Sequence, residues 1–187
     1  MLIKEWLSRT RTTVYSLLCF ATIIVACTEV AANKVCAVPC FEAETARLYG
    51  SFKKVASSQA SGGYYVTTPQ PIEIDISDLT QLPDISQRVE LPFRLEAGRY
   101  LLKVWVAARD DSDDSFYLRL DDGNYFTYHF SELRQRGLYP GFASDYVRHA
   151  SAEPVVFEVD EGDHVLTFYL RETGARLDKI EFELVQD

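Results

Sequence analysis

The segment Lys179-Ile180-Glu181-Phe182-Glu183-Leu184 alternates without interruption between charged and apolar residues. A period of two puts Ile180, Phe182 and Leu184 on one face and the charges on the other, as an extended strand does and a helix does not. Phe116, Leu118 and Leu120 alternate with Tyr117 and Arg119 in the same way. Tyr100 to Ala108 is a longer run rich in β-formers, and Val155 to Val159 and His164 to Arg171 complete the set. Between these runs lie Asp121-Asp122-Gly123-Asn124, Glu161-Gly162-Asp163 and Glu172-Thr173-Gly174, residues that favour tight turns. No stretch carries a long helical period, although Glu132 to Leu138 has room for one turn. The expectation is an all-β, antiparallel sandwich or barrel whose strands are buried on one face. Trp105 lies in a strongly apolar run and is expected in the core.

A chain of 187 residues accommodates one ordinary domain and a short extra segment. With 47% hydrophobic residues it can bury a sizeable core, which excludes wholesale disorder. Its formal net charge of −9 excludes a phosphate-backbone binder, so no nucleic-acid partner is expected. No internal repeat and no domain boundary are visible after about residue 41. Ser131 to Arg148 is the longest irregular stretch of the C-terminal half, a common location for function on a rigid sandwich.

The N-terminus reads as a targeting segment. Lys4, Arg9 and Arg11 precede an uncharged, largely apolar run from Thr12 to Thr28. That run is shorter than the roughly 20 residues a spanning helix needs, and its basic flank and small exit residues suit a secretory signal. An uncleaved membrane anchor is the alternative. Ile24-Val25-Ala26-Cys27 resembles the bacterial lipobox, which implies cleavage before Cys27 and acylation of its thiol. The expected layout is a lipoprotein signal at 1–26, a tether at 27–40 and a sandwich at 41–187. Thr28, where Asp would signal retention at the inner membrane, points to the outer membrane of a Gram-negative envelope. Cys19 falls within the signal, which leaves Cys36 and Cys40 to form a disulfide in an oxidising compartment. A metal site there would need two further soft ligands nearby, and none is present.

Three stretches together resemble a known pattern. They are Phe41-Glu42-Ala43-Glu44, Asp114-Ser115-Phe116-Tyr117-Leu118-Arg119-Leu120-Asp121, and Gly162-Asp163-His164 leading to Arg171-Glu172-Thr173-Gly174-Ala175-Arg176-Leu177-Asp178-Lys179-Ile180. This is similar to the galactose-binding-like β-sandwiches, in particular carbohydrate-binding modules of families 6 and 35. The resemblance spans about residues 41 to 185 and implies an antiparallel jelly-roll β-sandwich. It also implies a structural calcium held by Glu42, Glu44 and Asp178. Glu42 and Glu44 are two apart and so would share a face of one strand, where gathered carboxylates repel unless a hard cation sits between them. The competing reading is a set of solvated edge charges that discourage aggregation.

Such modules bind polysaccharides or oligosaccharides by stacking a sugar on an exposed aromatic, either in the loops at one end or on a concave face. Tyr64, Tyr65, Tyr125, Tyr139, Phe142 and Tyr146 are the available rings. Tyr139 and Phe142 flank Pro140-Gly141, and Tyr64 follows Gly62-Gly63, where the backbone can approach a ligand closely. Many relatives carry Asn two residues before the final-strand Asp, and this chain has Arg176 there. Arg176 either clamps a uronate or sulfate or marks the loss of that site. The ligand-binding set expected is therefore Tyr64, Tyr139, Phe142 and Arg176.

The run Asp110, Asp111, Asp113, Asp114 suggests a paired-carboxylate glycosidase, a second calcium or a solvated turn. His129, His149 and His164 lack ligand spacing, and no Gly-x-Ser-x-Gly, phosphate loop or Cys-x-x-Cys occurs. No enzyme is expected. The reading is a lipid-anchored, non-catalytic, calcium-stabilised polysaccharide-binding module. Its alternatives are an envelope lipoprotein that uses the same fold for a protein partner, or a glycan-active enzyme.

Overall fold

The computed structural model describes residues 39–68, 83–110, 112–130, 141–149 and 153–186, within a folded unit spanning Val35–Asp187. The strands are β1 (Cys40–Glu42), β2 (Arg47–Leu48), β3 (Lys53–Ala56), β4 (Tyr64–Thr67), β5 (Arg88–Leu95), β6 (Gly98–Ala107), β7 (Ser115–Leu120), β8 (Phe126–His129), β9 (Ala143–Tyr146), β10 (Val156–Val159), β11 (Gly162–Leu170) and β12 (Arg176–Leu184). Among the described residues the only helical element is a 3₁₀ turn, Ala43–Thr45.

The strands form two antiparallel sheets. In the first, β10, β6, β12, β4 and β3 run side by side, with β9 also on β6 and β1 also on β12. In the second the order is β2-β5-β11-β7-β8. The alternation seen in the sequence sets which side each strand buries. Leu102, Val104 and Val106 of β6 and Ile180 and Phe182 of β12 face Val89, Leu91, Phe93, Leu118, Leu166 and Phe168 of the opposite sheet. Burial of these side chains, about 1.5–3 kcal/mol each, supplies the main force holding the layers together.

Trp105 departs from expectation. Leu102, Val104 and Val106 point inward, so the residues between them point outward, and Trp105 lies half-exposed on the outer face of the first sheet. There the Lys179 Nζ stands 4.0 Å from its ring centroid and the Lys103 Nζ 5.4 Å away. Overall apolarity of the run suggested burial; the period-two position of Lys103 was the better guide.

The two ends of the domain meet. β1 pairs antiparallel with β12, aligning Phe41 with Ile180 and Glu42 with Lys179. Cys40 is disulfide-bonded, while Cys36, Cys27 and the whole expected signal lie outside the described residues. No helix among the described residues is long and apolar enough to cross a membrane.

Candidate functional site

Meeting of the termini brings the three predicted carboxylates to one corner. Glu42 is the last residue of β1, and Asp178 sits in a register shift of β12 between Leu177 and Lys179. Glu44 does not continue the strand. It lies in the 3₁₀ turn, where Ala43 is buried and the Thr45 hydroxyl donates to the Glu42 carbonyl at 2.7 Å. The shared strand face expected for Glu42 and Glu44 is thus corrected: the turn, and not strand alternation, aims Glu44 toward the others.

The loop Ser57–Gly63, between β3 and β4, closes over this corner. The Ser61 backbone N–H donates to both Asp178 oxygens, at 3.0 and 3.2 Å, and its hydroxyl donates to Glu42 Oε2 at 2.5 Å. A Cβ at Gly62 would collide with the Glu44 carboxylate, so a larger residue there would push Glu44 out of its present position. Asp178 is 2% exposed. Burial, opposed by the Ser61 N–H and reinforced by Glu42 and Glu44, raises its pKa to about 6. Burial, with a further contribution from Glu42, also raises that of Glu44, whose Oε2 is buried without a partner.

These donors suit a hard cation: carboxylate oxygens, a hydroxyl and one orphaned buried oxygen. Yet among the described residues no three His, Cys, Asp or Glu side chains form a ready-made metal cluster. Ser61 donates from both its N–H and its hydroxyl into the carboxylates that a cation would bind.

On the neighbouring part of the first sheet, Tyr65 of β4, Phe142 just before β9 and Arg176 at the start of β12 come together. The Tyr65 and Phe142 ring centroids are 5.4 Å apart, inclined at 57°. The Arg176 guanidinium carbon lies 5.6 Å over the Tyr65 ring. All three side chains are half-buried, leaving part of each open to solvent. Two of the four expected ligand-binding residues, Phe142 and Arg176, are thus joined. Tyr64 is 48% exposed and points to the opposite side of β4 from Tyr65, so it does not belong to the group. Tyr139 lies outside the described residues. Tyr65, rather than Tyr64, is the ring that completes the platform; the parity of β4 against buried Val66 was the available signal.

A second concavity occupies the outer face of the second sheet. A cleft of about 450 Å³ is lined by Arg88, Glu90, Arg119, Asp121, Thr167 and Tyr169 among others. Arg119 stands 5.1 Å from the Tyr125 ring and 5.9 Å from that of Tyr169, and its Nε is buried without a partner. Tyr125 meets Tyr169 edge-on at 5.4 Å. Sequence reading named Tyr125 only as one ring among several, because the cleft joins side chains from three strands and a turn.

One wall of this cleft is the turn after β7, whose Asp121 adopts a φ of 49°. Its carboxylate accepts the Val165 N–H at 2.7 Å and lies 2.7 Å from His164 Nδ1, while His164 Nε2 lies 2.9 Å from the Asp160 carbonyl. Two acceptors require both ring nitrogens to donate, which only the imidazolium does. Although burial opposes it, Asp121 and the Asp160 carbonyl raise the His164 pKa. Stability from this clamp is therefore fully present below the ordinary histidine pKa and is lost as pH rises through the folded value. His164→Gln should flatten that part of the stability profile, as read by urea midpoints between pH 5 and 8.

The acidic run is largely used by its own loop. Asp113 is fully buried and accepts the N–H groups of Arg109 and Asp110 at 2.8 and 3.0 Å, with Arg109 Nε at 2.6 Å. Asp110 accepts from Ser112, and Asp111 lies outside the described residues. The three histidines go to separate neighbours: His129 lies 3.9 Å from Asp114, His149 accepts the Thr127 N–H, and His164 forms the clamp described above.

Two antiparallel sheets, with the terminal strands paired, define an antiparallel β-sandwich. Among solved structures, the chain is similar to a family 35 carbohydrate binding module from Clostridium thermocellum (TM-score 0.55, 17% identity, covering 77% of this chain and 97% of that one). It is also similar to the C-terminal family 6 module of a marine laminarinase from Zobellia galactanivorans (TM-score 0.54, 16% identity, 78% and 98% covered). The exo-β-1,3-galactanase of Phanerochaete chrysosporium matches over 79% of this chain at 18% identity and TM-score 0.55, and this chain spans only 30% of that enzyme. At these identities the shared property is the fold. No protein-family model and no curated protein matches the sequence.

Proposed function

We propose that this chain is a non-catalytic polysaccharide-binding module, exported and held at the cell envelope by acylation of Cys27. The observation that carries the reading is the half-exposed Tyr65–Phe142 pair beside Arg176. Adjacent rings beside a guanidinium, which lies over the Tyr65 ring, suit the apolar face and hydroxyl edge of a pyranose. The cleft of the second sheet, with Tyr169 and Arg119, offers a further surface for a long glycan. The non-catalytic reading agrees with the use of the acidic run as loop scaffold. The lipobox supports the anchor, and Thr28 supports placement in the outer membrane of a Gram-negative bacterium.

Calcium is proposed as a structural ion at Glu42, Glu44 and Asp178, with Ser61 beside them. When bound there, a divalent cation would offset most of the repulsion among three carboxylates. The protein itself supplies the buried corner and the glycine that lets Glu44 approach.

Affinity electrophoresis of the full chain through gels containing neutral and acidic polysaccharides tests the binding role. Retardation by at least one polymer is expected, and Tyr65→Ala or Phe142→Ala should weaken it about tenfold, the magnitude of one lost stacking contact. Unchanged retardation in both variants would remove this platform as the site.

A further inference from the structure

We propose that the His164–Asp121 pair is a pH-operated latch on the cleft of the second sheet. With the imidazole protonated, the latch pins the turn after β7 as a wall of the cleft; with the imidazole neutral, that wall is released. The latch is a property of the fold and does not rest on the glycan reading.

The turn depends on bonds from outside itself. Among the described residues Asp121 is the only non-glycine with a positive φ, a left-handed conformation that aspartate visits when its side chain finds hydrogen bonds. Three such bonds hold it. The Asp121 N–H donates to the Val165 carbonyl at 2.9 Å, and its carboxylate accepts the Val165 N–H and the His164 Nδ1–H, each at 2.7 Å. Asp121, Asp122 and Val165 all line the cleft, and Asp122 lies 3.8 Å from the Arg119 guanidinium, which lines it too. The shape of that wall therefore follows the state of the turn.

The imidazolium ties this turn to the one before β11, where its Nε2 donates to the Asp160 carbonyl at 2.9 Å. A neutral imidazole has one donor and one lone pair, so either tautomer turns a lone pair onto one of the two oxygens. Asp121 faces the ring from the turn after β7, Asp160 from the turn before β11, and the Phe93 ring of β5 lies 5.7 Å away. On the same strand, Arg94 is engaged by Glu161 and Asp163. Burial lowers the His164 pKa, but its two hydrogen bonds and the charges of Asp121 and Asp160 outweigh burial and raise it. The latch is thus fully closed below the ordinary histidine pKa and opens as pH rises through the folded value.

Imidazole nitrogen spectra and amide exchange of the isotope-labelled full chain in detergent, followed from about pH 5.5 to about pH 9, test the latch. Both His164 ring nitrogens should carry protons at the acid end, and one should lose its proton above the ordinary value of about 6.5. Through the same midpoint, protection of the Asp121 and Val165 amides should fall about tenfold. The Leu170 amide, bonded to the Gln87 carbonyl at the far end of β11, should keep its protection. The Arg119 Nε–H signal should move with the same midpoint as Asp122 shifts beside it. His164→Gln should remove the pH dependence at both amides. Asp121→Asn keeps an oxygen for the Val165 N–H and should lower the His164 pKa; with the parent spectra it decides the matter if the glutamine variant does not fold. His164 titrating below its ordinary value, or both amides following Leu170 at every pH, would overturn the latch. Amides that open while the Arg119 signal stays fixed would mean that the turn moves without reaching the cleft, and the proposal fails in that case too.

Discussion

With chelator present at pH 7, Asp178→Asn should be more stable than the parent chain, by roughly 3 kcal/mol if the raised carboxyl pKa is converted at 1.36 kcal/mol per unit. The reason is the buried corner of like charges. The Asp178 pKa is about 6 in the folded state against an ordinary 3.8. Below the ordinary value both folded and unfolded chains hold the proton, and no penalty exists. As pH rises from there through 6 the unfolded chain releases its proton first, and stability drains away until the folded carboxyl is also ionised. Asparagine stays neutral and keeps an oxygen for the Ser61 N–H, so it escapes that loss. The advantage should vanish near pH 3.5. Glu90 and Glu183 have lowered pKa values and act with the opposite sign, so variant and parent are compared at each pH. Millimolar calcium should reverse the order, stabilising the parent more than the variant. Urea unfolding followed by tryptophan fluorescence, with chelator and with calcium, measures both. A parent already as stable as the variant in chelator contradicts the repulsion; a parent indifferent to calcium removes the ion.

Phe182→Ala is expected to cost about 3–5 kcal/mol, enough to unfold a large share of a marginally stable domain. Phe182 is 1% exposed and sits where the two sheets touch. Its ring lies 4.5 Å from Phe93 of the second sheet, 6.2 Å from Phe41 and 6.3 Å from Tyr100 of the first. Truncation leaves a cavity walled by three other rings on rigid strands, which cannot collapse to fill it. Trp105→Ala removes a larger side chain yet should cost only about 1–2 kcal/mol, because its outward ring loses chiefly the contacts with Lys103 and Lys179. Equilibrium unfolding of the two variants side by side decides the matter. A greater loss from Trp105→Ala would mean that the assignment of inner and outer faces is wrong.

Those two residues also show how far the chain could be read in advance. Phe182 lies in a segment of strict alternation, so its direction followed from period alone. Trp105 lies among apolar neighbours on both sides, where overall hydrophobicity obscured the weaker signal of Lys103 two residues before it. The acidic corner was legible in composition and not in shape. Glu42 and Asp178 were placed by the pairing of the first and last strands, but Glu44 reaches them through a 3₁₀ turn that alternation does not foresee. Ser61 and Gly62, which close the corner, belong to a loop far from all three in sequence.

Local chemistry alone determined the all-β class, the positions of most strands and turns, and the inward face of each cleanly alternating strand. These are properties of neighbouring residues, set by the backbone period and by turn preferences. Only the tertiary structure decided which rings share a platform and which side chains close the acidic corner. Tyr65, Phe142 and Arg176 are separated by tens of residues and meet because β4, β12 and β9 are laid into one sheet. That adjacency comes from closing long loops against the burial of two facing sheets, a balance struck over the whole chain and written in no single segment of it.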